Sequence, residues 1–466
     1  CATPRRRRIP RTSPSADNSD AVSLYHELLS RGNTAAESAA LLDAGQRARR
    51  LVFGTRPLCV ALRPNLIPRS RYRRLRGASH AIAGALNTLE SALLDDPALR
   101  AELDLEPEEE RLALAEPGCA TSSPAARLDS FAAASDVHFM EYNAESPAGM
   151  AYQDRLSDVF ETLPVLRDFR RRVRIRRLRV AEHQVSALLA AFREWGATRS
   201  PGETPTVAIV DWPGLPTVAE FELFVAAFHD RGIEAVICEP KALEHRDHGL
   251  YLGDRRIHLV YRRVLAAELL ERGDEGRAII AAYLSGEVCV VNTFRAKLLH
   301  KKMSLALLSD DRYAELYTRA QRAAIARHIP WTRKVQDGAT TRGGQRIPDL
   351  LRHILEHREG LVLKPNDDYG GRGVTLGWIS DDATWEAALR DATRRSSVVQ
   401  AAVPVPAEEF PVAMPASAVM RLSIDTNPYL FQGQVRGALT RVSSSALMNV
   451  TAGAGSVVPS YVLEEA

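Results

Sequence analysis

Between Leu361 and Trp378 the chain reads LVLKPNDDYGGRGVTLGW, and no other stretch restricts its possible folds as tightly. A strand-like apolar run delivers Lys364. Asp367 and Asp368 follow, then Gly370, Gly371, Arg372 and Gly373, then a second strand-like run. Glycines let backbone N–H groups approach phosphate oxygens closely. A lysine places a compact charge on a phosphate. A carboxylate beside such a loop can hold Mg²⁺, which keeps several waters and takes few protein carboxylates. The parts of a nucleotide site thus lie close together in sequence. The loop is neither a Walker A sequence nor the GxGxxG turn after a first strand. A β-hairpin with a glycine-rich turn is the competing reading of the same letters.

More than two hundred residues upstream stands HFMEYNAESPAGM. Glu141 and Asn143 are two apart, so a strand points both to one face. A carboxylate and an amide oxygen side by side suit a hard cation. Glu145 could equally be the acid, and a half-exposed strand end is the plainer alternative.

Composition narrows the class. At 466 residues the chain can bury a large core in two or three packed units. No run approaches the about 18 to 20 apolar residues that cross a bilayer. Arg5 to Arg8 lead into IPRTSPSADNSD rather than an apolar stretch, so a cytoplasmic protein without a signal peptide or a membrane partner is expected. Five cysteines, widely spaced and without CxxC, read as reduced thiols. A net charge of +3 implies no nucleic-acid partner, and the Arg-rich run Arg167 to Arg179 reads as solvated helix or strand faces. Only six lysines occur among the 61 basic residues, which points to specific roles for them.

The pattern predicts disorder over 1–19 and mainly helices from Asp20 to Leu114, interrupted by a strand at Leu58 to Leu62. A strand over Val137 to Tyr142 and a loop at NAESPAG come next, then helix from about Ala151 to Trp195. TRSPGET, 198–204, marks a boundary. Strands at Thr206 to Asp211, Ile233 to Glu239 and Ile257 to Arg262 alternate with a helix over Thr217 to Asp230, for which Thr217 and Glu220 form a capping box. This predicts a parallel α/β unit over 205–295. Beyond it, a helix near Ala296 to Leu308 is expected, then strands LVLK, VTLGW, SVVQA, VMRLSID and FQGQVRG. A helix over Asp382 to Ala392 sits among them, and turns such as TNP imply antiparallel pairing. The fold class is α/β followed by α+β.

The paired motifs resemble the ATP-grasp ligases, in the branch that includes eukaryotic glutathione synthetase, glutathionylspermidine synthase and the circularly permuted bacterial ATP-grasp proteins. RLDSF, IHLVYRRVL, LLHKKMSLALLSD, VVQAAVPVP and RGALTRVSSSALMNVTAGAGS match that branch in order, from about residue 55 to the C-terminus. The resemblance implies an ATP-grasp fold with a pre-ATP-grasp, Rossmann-like substrate domain over 205–295. Residues 20–200 would contribute the ExN metal motif and 296–466 the nucleotide-binding region and lid.

By the same resemblance, Glu141, Asn143 and Asp368 (or Asp367) hold Mg²⁺. Lys364 and Lys302 (or Lys301) hold ATP phosphates, with Gly370, Gly371 and Gly373 in the loop. Gln400 to Val403 flank adenine, and Asn449 and Gly453 lie in the lid. Arg441 steadies the transferring phosphate, while Arg127 and Arg263 (or Arg262) orient an acidic substrate. The reaction implied is ATP-dependent joining of a small-molecule or peptide carboxylate to an amine through an acyl phosphate, releasing ADP and phosphate. The alternative is a nucleotide-binding protein on the same frame without ligation. The sequence departs from permuted relatives at Ile257-His258, at Thr426 and Asn427 where an arginine is usual, and at SVVPSYV after the lid.

Overall fold

A computed structural model describes residues 18–53, 56–133, 135–197, 199, 202–215, 217–413, 418–445, 448 and 455–464. Residues 1–17, most of the segment expected to be disordered, lie outside them.

Three sheets organise the chain. The largest has six strands and joins distant parts of the sequence. Its path runs Gly455–Val458, Gln434–Ser443, Val419–Phe431, Ala125–Ala132, Val137–Asn143, with Ala407–Pro411 also on Val419–Phe431, all antiparallel. The 27-residue helix Arg69–Asp95 packs on this sheet through Leu75, Ile82, Leu86, Leu89 and Leu93, a spacing of three and four that keeps one apolar stripe inward. A second, four-stranded antiparallel sheet runs Thr332–Lys334, Ser397–Ala401, Leu361–Pro365, Thr375–Leu376. Helices Leu350–Glu356 and Asp382–Ala392 cover one side of it, with Trp385 at the centre donating to the Ile354 carbonyl at 3.0 Å. The third is parallel, in the order Cys289–Val291, Leu259–Arg262, Val207–Val210, Ala235–Cys238. Three of its strands, rich in Val and Ile, are buried along their whole length, as a sheet covered on both faces requires, and Ala235–Cys238 is a partly exposed edge.

Several elements differ from the sequence expectation, each for a packing reason. Leu58 to Leu62 is no strand. It is a segment buried except at Val60, and its backbone bonds go to scattered partners: Leu58 N to Leu51 O, Val457 N to Leu58 O and Leu62 N to Pro411 O. The strand there is Asn65–Pro68, parallel to Ser460–Leu463. The helix expected over 151–195 is broken into Met150–Phe160, Pro164–Arg170 and Ala181–Gly196, with Ile175–Arg177 extended beside Ser460–Leu463. TNP is not a turn: Val419–Phe431 is one 13-residue strand through Pro428, and the chain reverses at Gln432–Gly433. The helix near 296–308 splits into Lys297–His300 and Met303–Ser309, leaving Lys301 and Lys302 at the break.

The capping box at Thr217 does not form either. Glu220 instead accepts from Gly149 N at 2.9 Å and Ala151 N at 3.0 Å, serving the start of the helix Met150–Phe160. A buried carboxylate on unpaired N–H groups of another helix is the stronger arrangement.

Candidate active site

The three sheets meet around a cavity of about 500 Å³. The six-stranded sheet supplies Arg127, Asp129, Glu141, Asn143, Asp425 and Arg441; the four-stranded sheet and its glycine-rich loop supply Lys364, Gln400, Asp368, Gly370 and Gly371. Asp211 and Arg263, each one residue past a strand of the parallel sheet, close the third side with Thr217 and Glu268. Open α/β sheets present ligand sites at these carboxyl ends of strands.

Register sets the acid face. Arg127 stands opposite Asn143 and Asp129 opposite Glu141. Alternation puts Arg127 and Asp129 on one side of their strand. After Asp129 the pairing jumps so that Ser130 faces Phe139 and Met140 is the extra residue of a bulge. A bulge re-aims its neighbours. Here Phe139 and Tyr142 stay in the core while Met140, Glu141 and Asn143 reach the cavity wall.

Cations interleave with these acids. Lys302 Nζ lies 3.2 Å from Glu141 Oε1 and donates to the Asp368 carbonyl at 2.6 Å, so Glu141 and Asp368 meet at one ammonium. Arg441 Nη2 contacts Asp129 Oδ2 at 2.7 Å and Asp425 Oδ2 at 2.6 Å. Arg127 Nε donates to Asp129 Oδ1 at 2.7 Å, and Asn143 Nδ2 donates to the same oxygen at 3.0 Å. Burial alone would raise the Asp129 pKa, but Arg127 and Arg441 hold it at about 2. Asp425, deeper, is pushed up by burial against the pull of Arg441.

Lys364 Nζ donates to Gln400 Oε1 at 2.6 Å and to the Met140 carbonyl at 3.3 Å. Its pKa falls to about 8 because burial disfavours the ammonium; Glu141 opposes that and Lys302 adds to it. Gln400 in turn donates to Thr332 Oγ1 at 3.0 Å, which fixes its amide. Beyond it Ala401, Ala402 and Val403, with Val362, Leu376 and Met448, form an apolar wall.

The adjacent pairs left open by sequence divide cleanly in space. Asp368, Lys302 and Arg263 line the cavity. Their neighbours Asp367, Lys301 and Arg262 join a buried ion network with Glu145. Lys297 Nζ contacts Asp367 at 2.5 Å, Glu109 at 3.2 Å and Glu145 at 3.3 Å; Arg262 pairs with Glu145 at 2.9 Å and Lys301 with Glu109 at 2.8 Å. Lys297 and Arg262 hold the Glu145 carboxyl well below the usual carboxylate range despite its burial. Glu145, His300 and Asp367 lie close enough to share a cation, but the Lys297 ammonium already contacts two of them.

Gly373 is not on the cavity wall: at φ 66° it packs on Pro365, where a Cβ would stand 2.6 Å from Cγ. Asn449 and Gly453 lie outside the described residues. Of the three departures, His258 faces away, accepting from Thr206 N at 3.1 Å. Thr426 and Asn427 are buried and bonded to Asn65 and Ser130. Ser456 accepts from Val60 N. None of these four lines the cavity, but Val457, within the third departure, does.

Sequence reasoning missed Asp129, Asp211, Glu268, Tyr369 and Asp425. Asp129 was within reach, being two residues from Arg127 in RLDSF. Asp211 and Glu268 had no local signal. Burial pushes Asp211 up to about 6, against the pull of Arg263. Arg263 Nη1 donates to the Pro147 carbonyl at 2.6 Å, while its buried Nε has no partner among the described residues.

A cleft gripped between two antiparallel sheets, with a glycine-rich hairpin on one and acids on the other, defines an ATP-grasp fold. The chain belongs to the circularly permuted ATP-grasp family, whose family model matches residues 131–400. An uncharacterized protein of Mycobacterium leprae is 27% identical over 334 residues, covering 68% of this chain and 55% of that protein. One from Mycobacterium tuberculosis is 26% identical over 338 residues, covering 69% and 57%. The chain thus spans a little over half the length of the curated relatives it matches. Among solved structures, a glutathione synthetase-like effector from Globodera pallida in its apo form superposes with a TM-score of 0.58 at 12% identity, covering 92% of this chain and 97% of that one. At that identity the likeness speaks to the fold alone.

Proposed function

We propose that the chain is an ATP-dependent carboxylate–amine ligase that forms an amide and releases ADP and phosphate. The observation that carries the reading is the acid and cation set around one cavity. Asp129, Glu141, Asn143 and Asp368 offer oxygen donors, and Lys302, Lys364, Arg441, Arg127 and Arg263 offer positive charge, from segments more than three hundred residues apart. Hard oxygen donors of this kind fit Mg²⁺, with Asp129, Glu141, Asn143 and Asp368 as the residues to hold it. The metal would neutralise phosphate charge there.

The protein's own groups do the positioning. Lys302 is paired with Glu141, and Arg441 with Asp129 and Asp425. Phosphate oxygens would take over these cations, and a divalent cation would compensate the freed acids, so binding exchanges ion pairs rather than desolvating bare charges. Lys364 and Lys302 would hold phosphates. Arg441 would face the transferring group, and the apolar wall of Ala401 to Val403 would take the adenine. Arg127 and Arg263 would present the acceptor carboxylate by forked hydrogen bonds. The carboxylate oxygen would attack the γ-phosphorus as the bond to ADP breaks. An amine would then displace phosphate from the acyl phosphate and lose its proton. No protein nucleophile is needed; positioning and charge carry the rate.

The test is calorimetry with Mg-ATP on wild type, Glu141→Ala and Lys364→Ala. Both variants should lose Mg-dependent binding, and wild-type affinity in either overturns the site. A screen of amino acids, small peptides and polyamines for ADP release then separates ligation from nucleotide binding without ligation.

A further inference from the structure

The glycine-rich loop carries a side chain that the ligase reading does not use. Tyr369 lies on the cavity wall, yet the residue is 41% exposed. Its hydroxyl donates to Glu268 Oε1 at 3.2 Å, across to the helix Ala266–Glu271 of the parallel α/β unit. Glu268 is a fixed acceptor, because its other oxygen accepts from Leu265 N at 3.1 Å at the start of that helix. Arg372 stacks on the Tyr369 ring with Cζ 4.8 Å from the centroid, so the tyrosine is braced from its own loop as well. Gly370 and Gly371, at φ 66° and 76°, follow it with backbone that other residues rarely adopt.

The loop is thus tied at two places of different kinds. On the inside, Lys302 holds the Asp368 carbonyl, and a bound phosphate would compete for that ammonium. At the second tie, the Tyr369–Glu268 bond involves no group assigned to nucleotide or metal.

We propose that Tyr369 is a positioning residue that latches the glycine-rich loop to Glu268, keeping the loop closed and water out of the cavity while the acyl phosphate awaits the amine. The role rests on the ligase reading; the latch itself does not. Because Glu268 lies on the wall with Asp211 and Arg263, the latch joins the two sides of the cavity that must act on one intermediate.

Hydrogen exchange of residues 368–373 in nucleotide-free protein tests the latch, comparing wild type with Tyr369→Phe and Glu268→Gln. Losing one net hydrogen bond should speed exchange about 2- to 10-fold in Tyr369→Phe. Glu268→Gln, which can still cap the helix and donate to the phenol oxygen, should stay near wild type. Wild-type exchange in Tyr369→Phe overturns the latch. The positioning role is read in the amide formed per ADP released, which should fall in Tyr369→Phe through hydrolysis, with recovery in Glu268→Gln. An unchanged ratio with a loosened loop overturns the role. If Mg-ATP neither binds wild type nor protects its loop, the ligase reading fails, and the exchange comparison still decides the latch.

Discussion

Lys364 shows how one side chain can report on the whole cavity. Its pKa is depressed to about 8, first by burial, with Glu141 opposing and Lys302 adding to the depression. A depressed lysine is charged below that value and loses its proton as pH rises through it. Bound phosphates would raise the pKa again, so nucleotide binding should take up a proton above about pH 8. Affinity for Mg-ATP should therefore weaken by up to about tenfold per pH unit above 8. Lys364→Arg, always charged, should flatten that dependence, as calorimetry in buffers of different ionisation enthalpy will show. Lys297 makes the opposite case. Burial disfavours its charge, but Glu145, Asp367 and Glu109 more than compensate and raise its pKa. Lys297→Met would leave Asp367 without its ion-pair partner and take one of two cations from Glu145 and from Glu109, which keep Arg262 and Lys301. The expected loss is about 3–5 kcal/mol, read from the urea midpoint.

At the scale of elements, small irregularities aim the site. The bulge at Met140 places Glu141 on the cavity wall and presents a carbonyl that Lys364 uses. On the facing hairpin, Gly373 packs on Pro365 with positive φ. Gly373→Ala would meet both a contact of 2.6 Å and left-handed backbone, costing about 1–2 kcal/mol. Mg-ATP affinity should fall about tenfold while the circular dichroism spectrum is unchanged. Glu220 links two units by accepting from Gly149 N and Ala151 N. Glu220→Ala would leave those buried donors unmet, a loss of about 1–3 kcal/mol visible in thermal unfolding. Ser146, Ala148 and Gly149 belong to the cavity wall, so the same variant should also weaken acceptor binding.

Across the whole molecule, the cavity exists only where three sheets meet. Asn292 helps hold that junction: its amide donates to the carbonyls of Ala125 and Ala144 at 2.6 Å and of Glu145 at 3.0 Å. A ligand touching all three walls should stabilise the molecule as a unit. Mg-ATP at one hundred times its Kd should add about 2.7 kcal/mol, measured as a rise in Tm. Removing the metal with a chelator, or Glu141→Ala, should abolish the rise. A rise that survives both would mean that nucleotide binds away from the acid face.

The sequence by itself determined the local chemistry. LVLKPNDDYGGRGVTLGW could be read as a strand, lysine, acids and left-handed glycines because those residues carry their preferences with them. The same holds for the alternation that turns Glu141 and Asn143 to one side, and for the Val- and Ile-rich runs of the parallel sheet. The helix Asp382–Ala392 was legible with its ends, since Asp381 caps it and its apolar face repeats regularly. Only tertiary structure decided which of two adjacent like residues faces the cavity. Asp367 or Asp368, Lys301 or Lys302 and Arg262 or Arg263 are chemically alike. What separates them is the buried opposite charge each meets: Glu145 for Arg262, Glu109 for Lys301 and Lys297 for Asp367, all distant in sequence. Tertiary structure also decided that Glu220 would serve another helix than its own, and that Asp129, Asp211 and Glu268 would share a cavity. Such choices follow from long-range packing and charge pairing, for which a short window of sequence holds no signal.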